Sequence, residues 1–106
     1  MWNKYGARRT VIDGHNFASK KEAKRYSELK ILQDAGEISG LKLQPRFKLE
    51  LNEVKLCTYV GDFAYIENGK MIIEDVKGCK NNVPYRLFTI KRLLMEAIYG
   101  IKIKEI

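Results

Sequence analysis

The sequence predicts an α/β fold in which a short hairpin, a helix, three strands, a second helix and a last strand follow one another. Two observations predict the helices: the capping sequence Ser-Lys-Lys-Glu at 19–22 and an apolar repeat of helical spacing over 85–99. Alternating apolar and polar residues and an Asn-Gly turn predict the strands. We expect one domain, 1–106, because 106 residues with 45% hydrophobic content suit a single core.

A basic arm, residues 1–9, precedes the first predicted hairpin, whose turn is Asp13 and Gly14. The arm either follows a phosphate backbone or is simply mobile. If it follows one, the residues expected to contact nucleic acid are Lys4, Arg8 and Arg9.

The first helix is expected to run from residue 20 to about residue 35, where Gly36 ends it. Glu22 occupies the acidic position of the capping box, so its ordinary role is to accept the Ser19 backbone N–H. Helical periodicity also places Glu22 near Tyr26 and Leu29 on the apolar face. A carboxylate there can reach the edge of a sheet, so Glu22 is both a capping residue and a candidate metal ligand.

Residues 41–51 alternate between apolar and polar side chains and are expected to form one half-exposed strand. Because Pro45 has no backbone N–H, we expect this strand at a sheet edge or bulged at the proline. Gln44 lies on the polar face, and we expect it to help position a nucleic-acid strand.

The central feature is a hairpin over 59–78 with its two-residue Asn-Gly turn at 68–69. This register places Asp62 directly opposite Asp75, with Cβ atoms roughly 4.5 to 5.5 Å apart. Lys77 follows on the same face, while positions 74 and 76 point to the other. Two carboxylates at that spacing can hold one small cation, so the pair predicts a metal site.

The alternative to a metal site is a solvated sheet face. Like charges directly opposed on a sheet are destabilising, so the two aspartates need a counter-charge. A divalent cation and Lys77 are the candidates. On a solvated face, Lys77 would instead make an ordinary surface ion pair, and the sequence pattern leaves both interpretations open.

The second helix is expected to begin at Pro84, after a polar loop that contains Lys80. Lys91 falls within its apolar stripe, so it either extends its ammonium group to solvent or points over the sheet towards a phosphate. Arg86 and Arg92 lie outside the stripe and are surface charges or DNA contacts. We expect Gly100 to end the helix and 101–106 to form a last strand. The stripe comprises Leu87, Phe88, Leu94, Met95 and Ile98.

The charge balance, 20 basic against 13 acidic residues for a net charge of +7, indicates a polyanionic partner such as nucleic acid. A structural zinc site is not predicted, because the chain has one histidine and two cysteines without CxxC spacing. No apolar run is long enough to span a membrane and residues 1–9 lack a signal-peptide core, so we expect a cytoplasmic protein without a membrane partner. A small chain gains from a second subunit, which makes a homodimer a further hypothesis.

The spacing of Asp62, Asp75 and Lys77 resembles the D-x(n)-(D/E)-x-K signature of the PD-(D/E)XK nuclease superfamily. A second likeness covers nearly the whole chain. The segments KYGARR, DGHNFASKKEAKRYSEL, LQPRF, DFAYIENGKMIIEDVKG and YGIKIKEI look like a small family of phage and prophage proteins assigned to that superfamily. Two positions differ from the pattern: Gly61 stands where a proline usually precedes the first aspartate, and Asp75 stands where glutamate is commoner.

This resemblance implies a restriction-endonuclease-like core, with a central mixed β-sheet flanked by two helices and an added N-terminal hairpin. It implies a site for Mg²⁺ (or Mn²⁺) and a set of catalytic residues, of which the acidic ones bind the metal: Asp62, Asp75, Glu22, Lys77 and Lys91. We therefore expect a metal-dependent endodeoxyribonuclease, acting as a homodimer on branched or Holliday-junction DNA in phage recombination or replication, in the host cytoplasm. Further DNA contacts are expected from Lys4, Arg8, Arg9, Gln44, Lys80, Arg86, Lys91 and Arg92.

Two other functions fit the same residues. A DNA-binding phage accessory protein would retain the fold without turnover. An RNA-processing nuclease would use the same acidic groups and lysine on a different substrate. Composition does not separate these hypotheses from a DNA endonuclease.

Overall fold

A four-stranded mixed sheet lies between two helices in the computed structural model, which describes residues 10–78 and 83–106. The elements in chain order are β1 (Thr10–Ile12), β2 (His15–Phe17), α1 (Lys20–Asp34), β3 (Ser39–Leu43), β4 (Arg46–Leu51), β5 (Val54–Val60), β6 (Phe63–Glu67), β7 (Lys70–Asp75), α2 (Val83–Tyr99) and β8 (Lys104–Glu105). The predicted basic arm, 1–9, and the loop around Lys80 lie outside the described residues. No helix in the two described ranges is long and apolar enough to cross a membrane.

The sheet has the strand order β3-β6-β7-β8. Its β6–β7 hairpin confirms the predicted Asn-Gly turn, with Glu67 opposite Lys70 and φ angles of 52° at Asn68 and 78° at Gly69. β8 runs parallel to β7, whereas the other pairs are antiparallel, so the sheet is mixed as expected. The last strand is shorter than the predicted 101–106, because only Lys104–Glu105 pairs with β7.

Helix α1 begins and ends as the sequence predicts. The Ser19 side chain accepts a hydrogen bond from the Glu22 backbone N–H at 3.1 Å, and Gly36 follows the helix with a φ of 81°. Its apolar face packs on one side of the sheet, where Tyr26 and Leu29 are buried with Phe63. Packing of these buried side chains on the sheet stabilises the helix.

The N-terminal hairpin, β1–β2, turns at Asp13 and Gly14 as predicted. Tyr26 of α1 holds it in three ways: its hydroxyl donates to Asp13 Oδ2 at 2.9 Å, and its ring lies 5.0 Å from that of Phe17 and 5.7 Å from that of His15. The hairpin therefore has a defined position beside the first turn of α1.

The prediction of one strand over 41–51 was wrong, because the chain breaks at Gln44 and Pro45 into β3 and β4. The expected first strand of the central hairpin breaks too, at Gly61 and Asp62. The two breaks face each other: Gln44 N donates to Asp62 O, and Gly61 N donates to Pro45 O, both at 3.0 Å. Both strands bend at the same level, so β4–β5 leaves the sheet as a separate two-stranded hairpin.

Helix α2 packs on the other side of the sheet, with Phe88 and Met95 buried against Tyr59 and Ile73. The prediction placed Leu87 in the buried stripe, but its side chain is 55% exposed. The buried face is rotated towards Tyr85, which packs against the same core. The displaced β4–β5 hairpin packs against α2 and so shifts its buried face. The periodicity of the helix alone does not encode this contact.

A buried ion pair joins α1 to β7. Glu74 is fully buried, and its carboxylate accepts from Arg25 Nε at 2.7 Å, from Arg25 Nη2 at 2.6 Å and from the Tyr65 hydroxyl. Burial alone would raise the pKa of Glu74, but the hydrogen bonds from Arg25 and Tyr65 lower it below its usual value. Glu74 is therefore a charged group whose partners lie on two separate elements.

Replacing Arg25 by methionine should destabilise the protein by about 3 to 5 kcal/mol, because the buried Glu74 carboxylate loses its counter-charge. The measurement is urea denaturation at neutral pH. Glu28→Gln is the control: Glu28 pairs with the same arginine, but its side chain is 48% exposed, so we expect a loss of under about 1 kcal/mol. Equal losses for the two variants would contradict the proposed role of the Arg25–Glu74 ion pair.

Candidate functional site

The candidate site lies where the β6–β7 hairpin ends. Asp75 is the last residue of β7 and is 5% exposed, while the half-buried Asp62 immediately precedes β6. Asp62 N donates to Glu74 O at 3.0 Å, and Val76 N donates to Asp62 Oδ2 at 2.6 Å. The backbone thus fixes both aspartates at one end of the sheet, although they are not paired within the ladder as the register predicted.

Both oxygens of Asp75 have protein partners. The Tyr59 hydroxyl donates to Oδ2 at 2.6 Å, and Lys77 Nζ lies 2.7 Å from Oδ1. The same ammonium group sits 3.8 Å from the centroid of the Phe88 ring, a cation–π contact. Lys77 is therefore on the same face as Asp75, as predicted, and is held between a carboxylate and an aromatic ring.

Glu22 reaches the site from the first turn of α1. Burial and the negative charge of Asp75 raise the pKa of Glu22, while a backbone hydrogen bond with Ala18 opposes the shift. Half of the predicted capping box forms. The Ser19 side chain accepts from the Glu22 backbone N–H, whereas the Glu22 side chain makes its backbone hydrogen bond at Ala18 instead of Ser19. The helix N-terminus thus directs the Glu22 carboxylate towards the aspartates.

The carboxyl group of Asp62 has a strongly shifted pKa. Burial raises its pKa to about 7, and the charges of Asp75 and Glu22 add to the shift, whereas the Val76 N–H and Lys77 oppose it. Because each carboxylate influences the others, the structure brings Glu22, Asp62 and Asp75 together. In the described part of the chain, the ammonium group of Lys77 offsets part of their negative charge.

The three carboxylates suit a hard divalent cation by donor chemistry, since Mg²⁺ and Mn²⁺ prefer oxygen ligands. Within residues 10–78 and 83–106, however, no group of three or more His, Cys, Asp or Glu side chains is arranged to hold a metal ion. Tyr59 and Lys77 each contact one oxygen of Asp75, which leaves lone pairs on that carboxylate, so the donor types fit a cation.

Two cavities meet the carboxylates from different sides. One, of about 330 Å³, contains Gln44, which the sequence predicted as a contact, together with Asn16, Phe17, Ala18, Glu22 and Asp62. The other, of about 300 Å³, is lined by Asp75, Lys77 and Lys91 with Thr58, Tyr59, Val60, Pro84, Leu87 and Phe88. The acidic cavity and the basic cavity, as we call them, thus divide the predicted site residues between them.

Lys91 is partly buried and donates to the Thr58 carbonyl at 3.0 Å. On the other edge of the β4–β5 hairpin, the Tyr99 hydroxyl donates to the Lys48 carbonyl, and Lys48 is directly opposite Thr58. Lys91 therefore fastens α2 to β5, a role that sequence analysis did not foresee. Its ammonium group still borders the basic cavity beside Lys77.

The remaining predicted DNA contacts do not converge on this site. Arg86 is exposed on α2 and Arg92 is partly buried, and neither borders the three cavities described for this part of the chain. Among the residues that the structure describes, the buried Nε of Arg92 finds no hydrogen-bond partner. The predictions for Lys4, Arg8, Arg9 and Lys80 fall outside the described residues.

The residues that hold the two buried carboxylates of β7 in place were not predicted from the sequence. Tyr59 holds Asp75, and Arg25 with Tyr65 holds Glu74, one position earlier in β7. One signal was present: at about 100° per residue, Arg25 falls on the apolar face of α1, where a charged group needs a partner. Tyr59 carried no comparable signal, because its contact depends on the bend at Gly61.

Comparison with known proteins adds one result. A family model described as "Protein of unknown function (DUF1064)" matches residues 2–104. The chain belongs to the DUF1064 family. No curated protein and no solved structure matches this DUF1064 chain significantly.

The DUF1064 site should make stability depend on pH through Asp62. Its carboxyl pKa is about 7 in the folded chain against an ordinary 3.8, so the folded chain binds this proton more tightly than the unfolded chain. Ionisation of Asp62 therefore costs stability as the pH rises between about 4 and 7, and the full cost is present above pH 7. Asp62→Asn should raise the Tm relative to wild type more at pH 8 than at pH 5, measured by thermal denaturation.

Asp34→Asn, at an exposed aspartate on α1, is the control and should show no such trend. A Tm difference between Asp62→Asn and wild type that stays constant across this pH range would contradict the raised pKa of Asp62.

Proposed function

We propose that this chain is a metal-dependent endodeoxyribonuclease of the PD-(D/E)XK type with a restriction-endonuclease-like core. The observation that carries the proposal is the ion pair of 2.7 Å between Asp75 and Lys77, in electrostatic contact with Asp62 and Glu22. Clustered carboxylates suit a divalent cation that hydrolyses phosphodiesters, and an ammonium group beside them can stabilise the developing negative charge.

The metal ligands in this proposal are Glu22, Asp62 and Asp75, and the cofactor is Mg²⁺, with Mn²⁺ as a substitute. When bound, the cation supplies Lewis-acid polarisation of the scissile phosphate and a bound water of lowered pKa. The raised pKa values of Asp62 and Glu22 support this choice. Burial and the neighbouring carboxylates disfavour the ionised form of each group, which a bound cation would stabilise.

The protein groups have separate roles. Tyr59 orients the Asp75 carboxylate through its hydrogen bond of 2.6 Å. Lys77 donates hydrogen bonds to the anionic oxygens that develop during phosphoryl transfer, which lowers the barrier electrostatically. Phe88, 3.8 Å from Lys77 Nζ, holds the ammonium group at the site through a cation–π contact.

DNA as the partner is supported by the net charge of +7. Holliday-junction or other branched DNA as the substrate, a homodimer as the active form, and a place in phage recombination or replication rest on the superfamily resemblance. A dimer with one site in each subunit would cut a symmetric junction in paired positions.

A second candidate is a DNA-binding accessory protein that retains this fold without turnover. Its specific support is that both Asp75 oxygens have protein partners and that no ready-made metal ligand group exists among the described residues. The same chain would then use the site residues for stability alone.

The deciding experiment incubates labelled linear, nicked, flapped and four-way DNA with Mg²⁺, Mn²⁺ or EDTA. We expect cleavage of at least one form with a metal and none with EDTA. Lys77→Ala and Asp75→Ala should each lower the cleavage rate at least about 100-fold, since each removes charge from the reacting centre. Both variants should still bind DNA, Lys77→Ala more weakly because one phosphate contact is lost. Lys70→Ala, at an exposed lysine of the β6–β7 hairpin, is the matched control and should cleave normally.

Binding without cleavage of any form would favour the accessory protein. Cleavage of RNA in preference to DNA would favour an RNA-processing nuclease. Normal activity of Lys77→Ala would exclude the proposed role of this lysine.

A further inference from the structure

The acidic cavity continues into a neighbouring cavity of about 220 Å³. The two share Asn16, Phe17, Glu22 and Gln44, so together they form one groove that leads from Asp62 to the turn of the β1–β2 hairpin at His15. We call this the hairpin groove. It adjoins the proposed catalytic carboxylates but contains residues that the proposed reaction does not use.

The hairpin groove and the basic cavity differ in charge. No lysine or arginine lines either part of the groove in the described chain, and its one end carries Glu22 and Asp62. The basic cavity contains Lys77 and Lys91. A phosphate is therefore attracted to the basic cavity and repelled by the groove, whereas an uncharged polar group is accepted by the groove.

Two primary amides supply hydrogen bonds in the groove. Asn16 and Gln44 are exposed, and each offers a carbonyl acceptor and an NH₂ donor; no protein partner is observed for either side chain within the described residues. These are the groups that read the polar edges of nucleobases. Neutral amides beside the carboxylates of Glu22 and Asp62 suit an uncharged nucleoside better than an anion.

Both amides are on fixed supports. Gln44 adopts a φ of 49° directly before Pro45, and its backbone N–H is held by Asp62 O at 3.0 Å. Asn16 lies on β2 opposite Val11, in the hairpin that Tyr26 fastens through Asp13. The two side chains thus approach one groove from separate, independently anchored segments.

We infer that the hairpin groove is the subsite for the nucleoside next to the scissile phosphate, with Asn16 and Gln44 as its specificity-determining residues. This inference rests on the proposed function and adds to it a direction for the strand. The base and sugar enter the groove towards His15, while the phosphates pass on the side of Lys77 and Lys91.

The test measures binding in EDTA, so that cleavage does not enter. Fluorescence anisotropy compares a labelled thymidine oligonucleotide with one of equal length whose central residues are abasic, and so keep the phosphates. The wild type should bind the base-bearing strand about 5-fold to 10-fold more tightly, the range expected for one or two hydrogen bonds. Asn16→Ala and Gln44→Asn should each remove most of that preference and leave abasic binding unchanged. Asparagine is chosen at position 44 because it tolerates positive φ.

Two controls make the outcome specific. Asn52→Gly removes an exposed amide at a φ of 51° in the β4–β5 turn, outside all three cavities, and should keep the wild-type preference. Lys77→Ala should weaken binding of both strands equally and reduce the dependence of affinity on salt, as loss of a phosphate contact does.

Equal weakening of both strands by Asn16→Ala and Gln44→Asn would overturn the inference, and so would an unchanged preference. The same applies if the wild type binds abasic and base-bearing strands alike. A base preference that depends on the two amides in a protein that never cleaves would retain the subsite and exclude the nuclease, so the two failures are distinguishable.

Discussion

The structure depends on the burial of two consecutive carboxylates at the end of one strand. Glu74 and Asp75 are 0% and 5% exposed, and strand alternation sends their side chains to opposite faces of the sheet. Each buried charge requires a partner of its own: Arg25 of α1 for Glu74, and Lys77 for Asp75. Since Lys77 also packs on Phe88 of α2, this one dipeptide connects both helices to the sheet.

The two carboxylates nevertheless have different electrostatic surroundings. Glu74 is neutralised by a bidentate guanidinium and a phenol, which lower its pKa, so it is saturated and structural. Next to Asp75, burial raises the pKa of Asp62, and the negative charges of Asp75 and Glu22 raise it further. Perturbed groups beside a cavity are typical of functional sites, whereas a balanced buried pair is typical of architecture.

Local sequence signals predicted the parts of the fold that local chemistry determines. The Asn-Gly turn set the β6–β7 register, and the serine cap and Gly36 set the limits of α1. Alternation and periodicity placed Asp75 and Lys77 on one face and Glu22 on the inner side of its helix. These are short-range constraints, and the structure has each of them in place.

The misses involve contacts between distant segments. The paired breaks at Gln44 and Gly61 depend on each other through two backbone hydrogen bonds, so neither strand alone encodes them. A Cβ at position 61 would come 3.1 Å from Ile73 Cγ2 and 3.2 Å from the Tyr59 hydroxyl, which gives a packing reason for glycine there. The exposure of Leu87 likewise follows from the position of β4–β5 after the bend.

The bend leaves β4 and β5 as a two-stranded ribbon, and such ribbons expose open edges to which strands of other molecules can add. Here α2 covers both edges at one level, because the side chains of Tyr99 and Lys91 donate hydrogen bonds to the carbonyls of Lys48 and Thr58 respectively. Lys91 thereby blocks one position on the β5 edge at which a strand of another molecule would add. Any substitution at Lys91 made to probe phosphate contacts would also unblock an edge, so self-association must be measured before lost activity is ascribed to catalysis.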